Sequence, residues 1–108
     1  MFIELDVFSG RRNPRWQLDE PSARRLIDIH RQLTASVRPS AEPPGLGYRG
    51  FRYVLDDVAW RAWNATVLGG YRALADPDRS VERLLLDRLP SEYDELRARL
   101  ATEIEPKG

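Results

Sequence analysis

Ile3, Leu5 and Val7 alternate with Glu4 and Asp6 between Phe2 and Phe8, the period of two expected of a half-buried strand. Ser9-Gly-Arg-Arg-Asn-Pro14 then supplies turn chemistry, glycine for positive φ and asparagine held extended before proline. A hairpin returning through Arg15-Trp-Gln-Leu18 follows. Beyond Asp19 the period changes. Leu26, Ile29, His30, Leu33 and Val37 fall on one helical face, with Asp19 as cap and Glu20 and Pro21 in the first turn. Pro39, Pro43, Pro44, Gly45, Gly47 and Gly50 break any element between Arg38 and Gly50, and loops of that length in small domains are usually functional or disordered.

Phe51-Arg-Tyr-Val-Leu55 resumes as a strand and Asp56-Asp57 marks a turn. From Val58 to Leu68 the signals conflict. Trp60, Trp63 and Val67 have helical spacing, whereas Thr66, Val67 and the tryptophans favour a strand. The strand is the preferred reading, with Gly69-Gly70 turning the chain into a short strand at Tyr71-Arg-Ala-Leu74. Asp76-Pro77 reads as a cap opening a helix with Val81, Leu84, Leu85 and Arg88 on one side, which Pro90 stops. Ser91-Glu-Tyr-Asp94 reads as a capping box for a last helix carrying Tyr93, Leu96, Leu100 and Ile104. The pattern predicts one α+β domain over residues 1–108. A small antiparallel sheet, an N-terminal hairpin plus a central meander, packs against one helix from the N-terminal half and two C-terminal helices.

Composition adds constraints. At 42% hydrophobic residues and ten aromatics the chain is suited to a modest core, and it has no apolar run long enough to span a bilayer. The absence of cysteine removes disulfides and thiolate chemistry. Met1-Phe-Ile-Glu-Leu-Asp6 reads as a strand rather than a signal peptide, so the expected location is the cytoplasm. Seventeen basic residues balance seventeen acidic ones, leaving no global field to steer the chain onto nucleic acid. Sixteen of the basic residues are arginine, a bias that GC-rich codons explain; their clustering is what carries information.

Phe8–Trp16 and Gly45–Arg52 together hold five arginines, four aromatics and no acid. Ser9-Gly-Arg-Arg-Asn13 offers amides and guanidinium forks to a phosphate or carboxylate; the competing reading is a solvated turn whose arginines pair with Asp6 or Asp19. Trp16, Tyr53 and at least one of Trp60 and Trp63 belong to the core, which leaves Arg11, Arg12, Asn13, Tyr48 and Arg49 as the most exposed ligand-binding candidates. Gly45-Leu-Gly-Tyr-Arg-Gly50 spells the dinucleotide fingerprint, but it enters a strand pattern where that motif must open a helix. His30, the one histidine, sits on an apolar face and is expected to be hydrogen-bonded in the core. Asp56-Asp57 and Asp76-Pro-Asp78 are accounted for by turns and caps, so no catalytic set, metal site or cofactor is assigned.

Phe8-Ser-Gly-Arg-x-Asn-Pro-x-Trp16 and Gly45-Leu-Gly-Tyr-Arg-Gly-Phe51 resemble a signature of small bacterial proteins of actinobacterial type, about a fifth of the chain. The resemblance implies an accessory role beside biosynthetic enzymes. The leading expectation is a non-enzymatic binding module that holds a peptide, a protein partner or a small anionic ligand through its arginine and aromatic loops. An open sheet edge would add strand augmentation, and the helices leave room for a homodimer. Two alternatives stand beside it. One is a small enzyme using His30, an aspartate pair and an arginine clamp; the other is a single-stranded nucleic-acid binder, disfavoured by the neutral charge.

Overall fold

The computed structural model describes residues 1–36, 43, 45 and 47–105. The expectations placed on Val37, Pro39 and Pro44 lie outside them. Among the described residues, seven strands form one sheet: β1 (Phe2–Leu5), β2 (Arg15–Gln17), β3 (Thr34–Ala35), β4 (Phe51–Leu55), β5 (Val58–Trp63), β6 (Thr66–Gly69) and β7 (Arg72–Ala75). Their order is β2-β1-β4-β5-β6-β7-β3 and every pairing is antiparallel. Helix α1 (Glu20–Gln32) comes from the first half, and α2 (Ser80–Asp87) and α3 (Asp94–Glu103) close the chain. The fold is α+β, as the hydrophobic pattern predicts.

Register follows from the alternation. Leu5, Phe51, Ala62, Val67 and Leu74 are successive cross-strand partners in one row, and all five are buried. A second row sets Tyr53 opposite Trp60 and Trp60 opposite Gly69. Because a one-residue slip would turn a whole strand's apolar set to solvent, these rows fix the pairing. The buried side chains of α1, α2 and α3, Leu26, Leu84, Leu85, Leu96 and Leu100 among them, complete one core with the same sheet face. The opposite face carries exposed Phe2, Arg52 and Val54.

Close packing dictates two glycines. A Cβ at Gly69 would stand 2.4 Å from the Trp60 ring, so the ring occupies the space a side chain would need. At Gly50 φ is +99° and a Cβ would meet the Ala62 carbonyl oxygen at 2.4 Å.

The structure departs from the sequence reading in several places, beginning with β1, which ends at Leu5 rather than running on to Phe8, and β3, a strand the pattern does not predict. The single strand expected over Val58–Leu68 is a hairpin: Asn64 and Ala65 both have positive φ (54° and 64°), the primed two-residue turn that matches strand twist. Alanine is a poor signal for that turn, which is why the break is hard to read. The next strand accordingly begins at Arg72, one residue later than expected. Leu33, placed on the helix face, instead ends α1 in extended conformation and leads into β3. The Ser91 capping box does not form; Ser91–Tyr93 is a 3₁₀ turn, and α3 starts without a side-chain cap.

The Asp19 cap holds, whereas α2 opens at Ser80 rather than with Pro77 in its first turn. Asp19 accepts from the Ser22 amide at 2.8 Å, which holds its carboxyl below the usual range. Asp76 caps α2 from a distance, accepting from the Ser80 and Val81 amides at 3.0 and 2.9 Å. Arg79 stands in the cap position itself, with left-handed φ of 54°.

A non-glycine residue at positive φ costs about 1 kcal/mol. Ala65→Gly is therefore expected to raise the unfolding free energy by up to about 1 kcal/mol, while Gly50→Ala, which adds a backbone clash, lowers it; urea unfolding of both variants checks the pair of signs.

Candidate functional site

The two arginine-rich segments are neighbours, joined through Asp6. The Asp6 amide donates to the Gly50 carbonyl at 2.9 Å, and the Arg49 amide donates to the Asp6 carbonyl at 2.8 Å. The side chains repeat the link. Arg49 Nε and Nη2 reach Asp6 Oδ1 at 3.0 and 2.8 Å, and Arg61 Nη1 reaches Oδ2 at 2.9 Å. Arg49 also donates to the Gly45 and Phe8 carbonyls at 2.7 and 2.9 Å. Burial alone would raise the Asp6 pKa, but the hydrogen bonds from Arg49 and Arg61 outweigh it and hold the carboxyl below its ordinary range.

Asn13 closes the hairpin loop. Its Oδ1 accepts from the Val7 and Phe8 amides at 3.1 and 2.8 Å, and its Nδ2 donates to Glu4 Oε2 at 3.1 Å. A single amide thus satisfies two main-chain donors that a loop would otherwise expose.

Tyr48 and Arg49, though consecutive, are held by different carboxylates. Tyr48 is buried and donates to Glu82 Oε1 at 2.5 Å, where burial and then the adjacent carboxylate push its pKa up. Glu82, 1% exposed, also accepts from Arg79 Nε and Nη2 (2.9 and 2.8 Å) and from the Asn64 and Ala65 amides (3.2 and 3.1 Å). Arg79 in turn donates to the Glu103 carbonyl at 2.7 Å at the end of α3.

These contacts correct the expectation of exposure for three of the five candidates. Tyr48 is buried, and Arg49 and Asn13 are half-buried and saturated with internal partners. Nor do Arg11 and Arg12 pair with Asp6, which Arg49 and Arg61 occupy. Arg11 instead stacks over the Phe8 ring, 3.7 Å from its centroid. Arg12 is exposed and lines a cleft of about 530 Å³ with Phe2, Asn13, Arg15 and Tyr93. Phe2 is 64% exposed, and among the described residues no carboxylate lines the cleft; Glu4 stands 3.8 Å from Arg15.

Sequence reasoning missed Phe2, Arg15 and Tyr93, each read as part of a strand or helix stripe. The signal was available for Phe2 and Arg15: on strands where Ile3 and Trp16 face the core, their neighbours must face outward. Tyr93 comes from the 3₁₀ turn that the capping-box reading obscured.

His30 joins the core as expected. Its Nε2 shares a 2.6 Å hydrogen bond with the Tyr53 hydroxyl, and its ring meets Trp60 edge-on at 5.0 Å. Burial first, and then the positive charge of Arg72, lower its pKa. It lines neither this cleft nor the larger groove between the helices. Among the described residues, no three metal-ligating side chains come together, and no helix is long and apolar enough to cross a membrane. The chain matches no family model, no curated protein and no solved structure.

The two loops make opposite predictions for alanine substitution. Arg49→Ala is expected to lower the melting temperature clearly and Arg12→Ala to leave it unchanged, read by thermal unfolding. Asp6 has a depressed folded-state pKa, so its contribution is present above about pH 4 and is lost as pH falls below that. Asp6→Asn should reduce that acid limb without abolishing it, because Asp19, whose carboxyl is also held low, adds to the same limb. The His30 contribution, also lost on acidification but below about pH 6.5, should remain.

Proposed function

We propose that this chain is a non-catalytic binding module whose β2 edge and adjoining cleft take an extended, acidic peptide segment. The observation carrying the reading is a free strand edge beside a cleft lined by arginines and rings. Among the described residues, strand β2 ends the sheet and pairs only with β1. The Leu18 amide donates to the Met1 carbonyl at 2.8 Å and the Leu5 amide to the Pro14 carbonyl at 3.0 Å, so residues 14, 16 and 18 turn their main-chain groups toward β1. In an antiparallel ladder alternate residues face alternate sides, which leaves the N–H and C=O groups of Arg15 and Gln17 directed outward.

An open edge recruits strands indiscriminately unless its side chains select the partner. Here the selecting groups are cationic and aromatic. Arg12 and Arg15 favour carboxylates by paired, charge-assisted hydrogen bonds, while Phe2 and Tyr93 supply apolar contact. A basic strand would be repelled. An accessory role, in which the bound segment belongs to an enzyme the module assists, is consistent with this chemistry.

The test is calorimetric titration with a short synthetic peptide alternating glutamate and valine around one phenylalanine. Two controls accompany it: the same peptide with lysine for glutamate, and the peptide N-methylated at alternate amides. Binding of the first alone, weakened about ten-fold by Arg12→Ala or Arg15→Ala at unchanged melting temperature, is the expected result. Equal binding of the N-methylated peptide would exclude strand addition. Equal binding of the lysine peptide would exclude the arginines as selectors.

A further inference from the structure

A second cleft lies between the helices, away from the β2 edge. Helix α2 packs between α1 and α3, and the three bound a groove of about 920 Å³. Its floor includes Ile29, which is half-buried, and the core residues Leu84, Leu86 and Ile104, each more than nine-tenths buried; among the described residues no aromatic ring lines it. Among the described residues, four arginines line it against two carboxylates, Asp87 and Glu105.

Those four arginines differ in their commitments. Arg88 donates to Ser22 Oγ at 2.8 Å and pairs with Asp87. Arg97 is held by Asp94 and by the Leu86 and Leu89 carbonyls. Arg25 on α1 and Arg83 on α2 are exposed, and among the described residues neither makes a hydrogen bond or ion pair through its guanidinium. Two uncommitted guanidinium groups thus border an aliphatic trough from two sides, each with paired donors that match a carboxylate.

We infer that this groove binds an amphiphilic anion, a straight aliphatic chain ending in a carboxylate, with the chain along the trough and the head between Arg25 and Arg83. The volume lies within the range of small-molecule sites. Without rings in the lining there is nothing to stack an aromatic body, and an aliphatic floor fits a flexible chain. The free arginines set the polarity of the head.

Decanoate, below the concentration at which it aggregates, is the probe, with decanol and acetate as its two halves. Amide-resolved NMR titration should show decanoate shifting residues of α1, α2 and α3 while raising the melting temperature, since a ligand of the native state stabilises it. Decanol and acetate should each bind at least about ten-fold more weakly, and Arg25→Gln and Arg83→Gln should each weaken decanoate about ten-fold with the unliganded melting temperature unchanged. Acetate equal to decanoate would reduce the site to surface charge, and decanol equal to decanoate would reduce it to an apolar face. A lowered melting temperature, or glutamine variants with full affinity, would overturn the assignment outright. The β2 peptide is absent from every arm, so the result is independent of that reading.

Discussion

A single buried carboxylate, Glu82, ties the meander, the glycine-rich segment and the C-terminal helices together. Five donors converge on it: the Tyr48 hydroxyl, two nitrogens of Arg79 and the amides of Asn64 and Ala65. An ionised carboxylate offers roughly four lone-pair directions, so the site is filled beyond its nominal capacity. Taking a charge from water costs several kcal/mol, and it is tolerated here because Arg79 neutralises it and each oxygen is fully hydrogen-bonded. The same contacts account for two oddities of the backbone. The Asn64–Ala65 turn keeps an alanine at positive φ where its amide meets Glu82, and Arg79 adopts left-handed geometry where its guanidinium pairs with Glu82.

Asp6 plays the corresponding part on the other side of the glycine-rich segment. Tyr48 is anchored to one carboxylate and Arg49 to the other. The close approach at Gly50 brings this chain against β5. Of what the sequence displays as a surface rich in arginine and rings, Trp16, Tyr48, Phe51 and Arg49 are therefore internal, while Arg11, Arg12, Arg15 and Arg52 stay exposed. The two proposed sites draw on arginines outside this fastening: Arg12 and, apart from its long contact to Glu4, Arg15 beside the β2 edge, and Arg25 and Arg83 over the helical groove.

The fold was legible in the sequence where periodicity is local. Ile3 and Leu5, the Asp19 cap and the Leu84–Leu85 stripe each depend on neighbours within a few positions, and each stands as read. The break at Asn64–Ala65 was illegible because the groups that stabilise the turn come from Glu82, seventeen and eighteen positions away. The site was less legible for the same reason. Whether an arginine is free depends on carboxylates distant in sequence: Asp6 lies 43 positions from Arg49 and 55 from Arg61. An acid-free window in the sequence carries no information about acid-free space. Phe2 and Arg15 were recoverable from strand alternation alone, whereas the juxtaposition of Tyr93 with them required the tertiary structure.

The most direct test of the claim that Glu82 holds these elements together is a double-mutant cycle in urea between Tyr48→Phe and Glu82→Gln, with amide exchange followed at Asn64 and Ala65. Glutamine keeps the volume but turns an N–H₂ group toward donors, so Glu82→Gln alone should cost about 3–5 kcal/mol. The pair should couple by more than about 0.5 kcal/mol, since the residues share one network. Protection at Asn64 and Ala65 should fall with it. Additive losses, with exchange at the turn unchanged, would mean that the sheet and helices hold together by apolar packing alone and that the carboxylate is incidental.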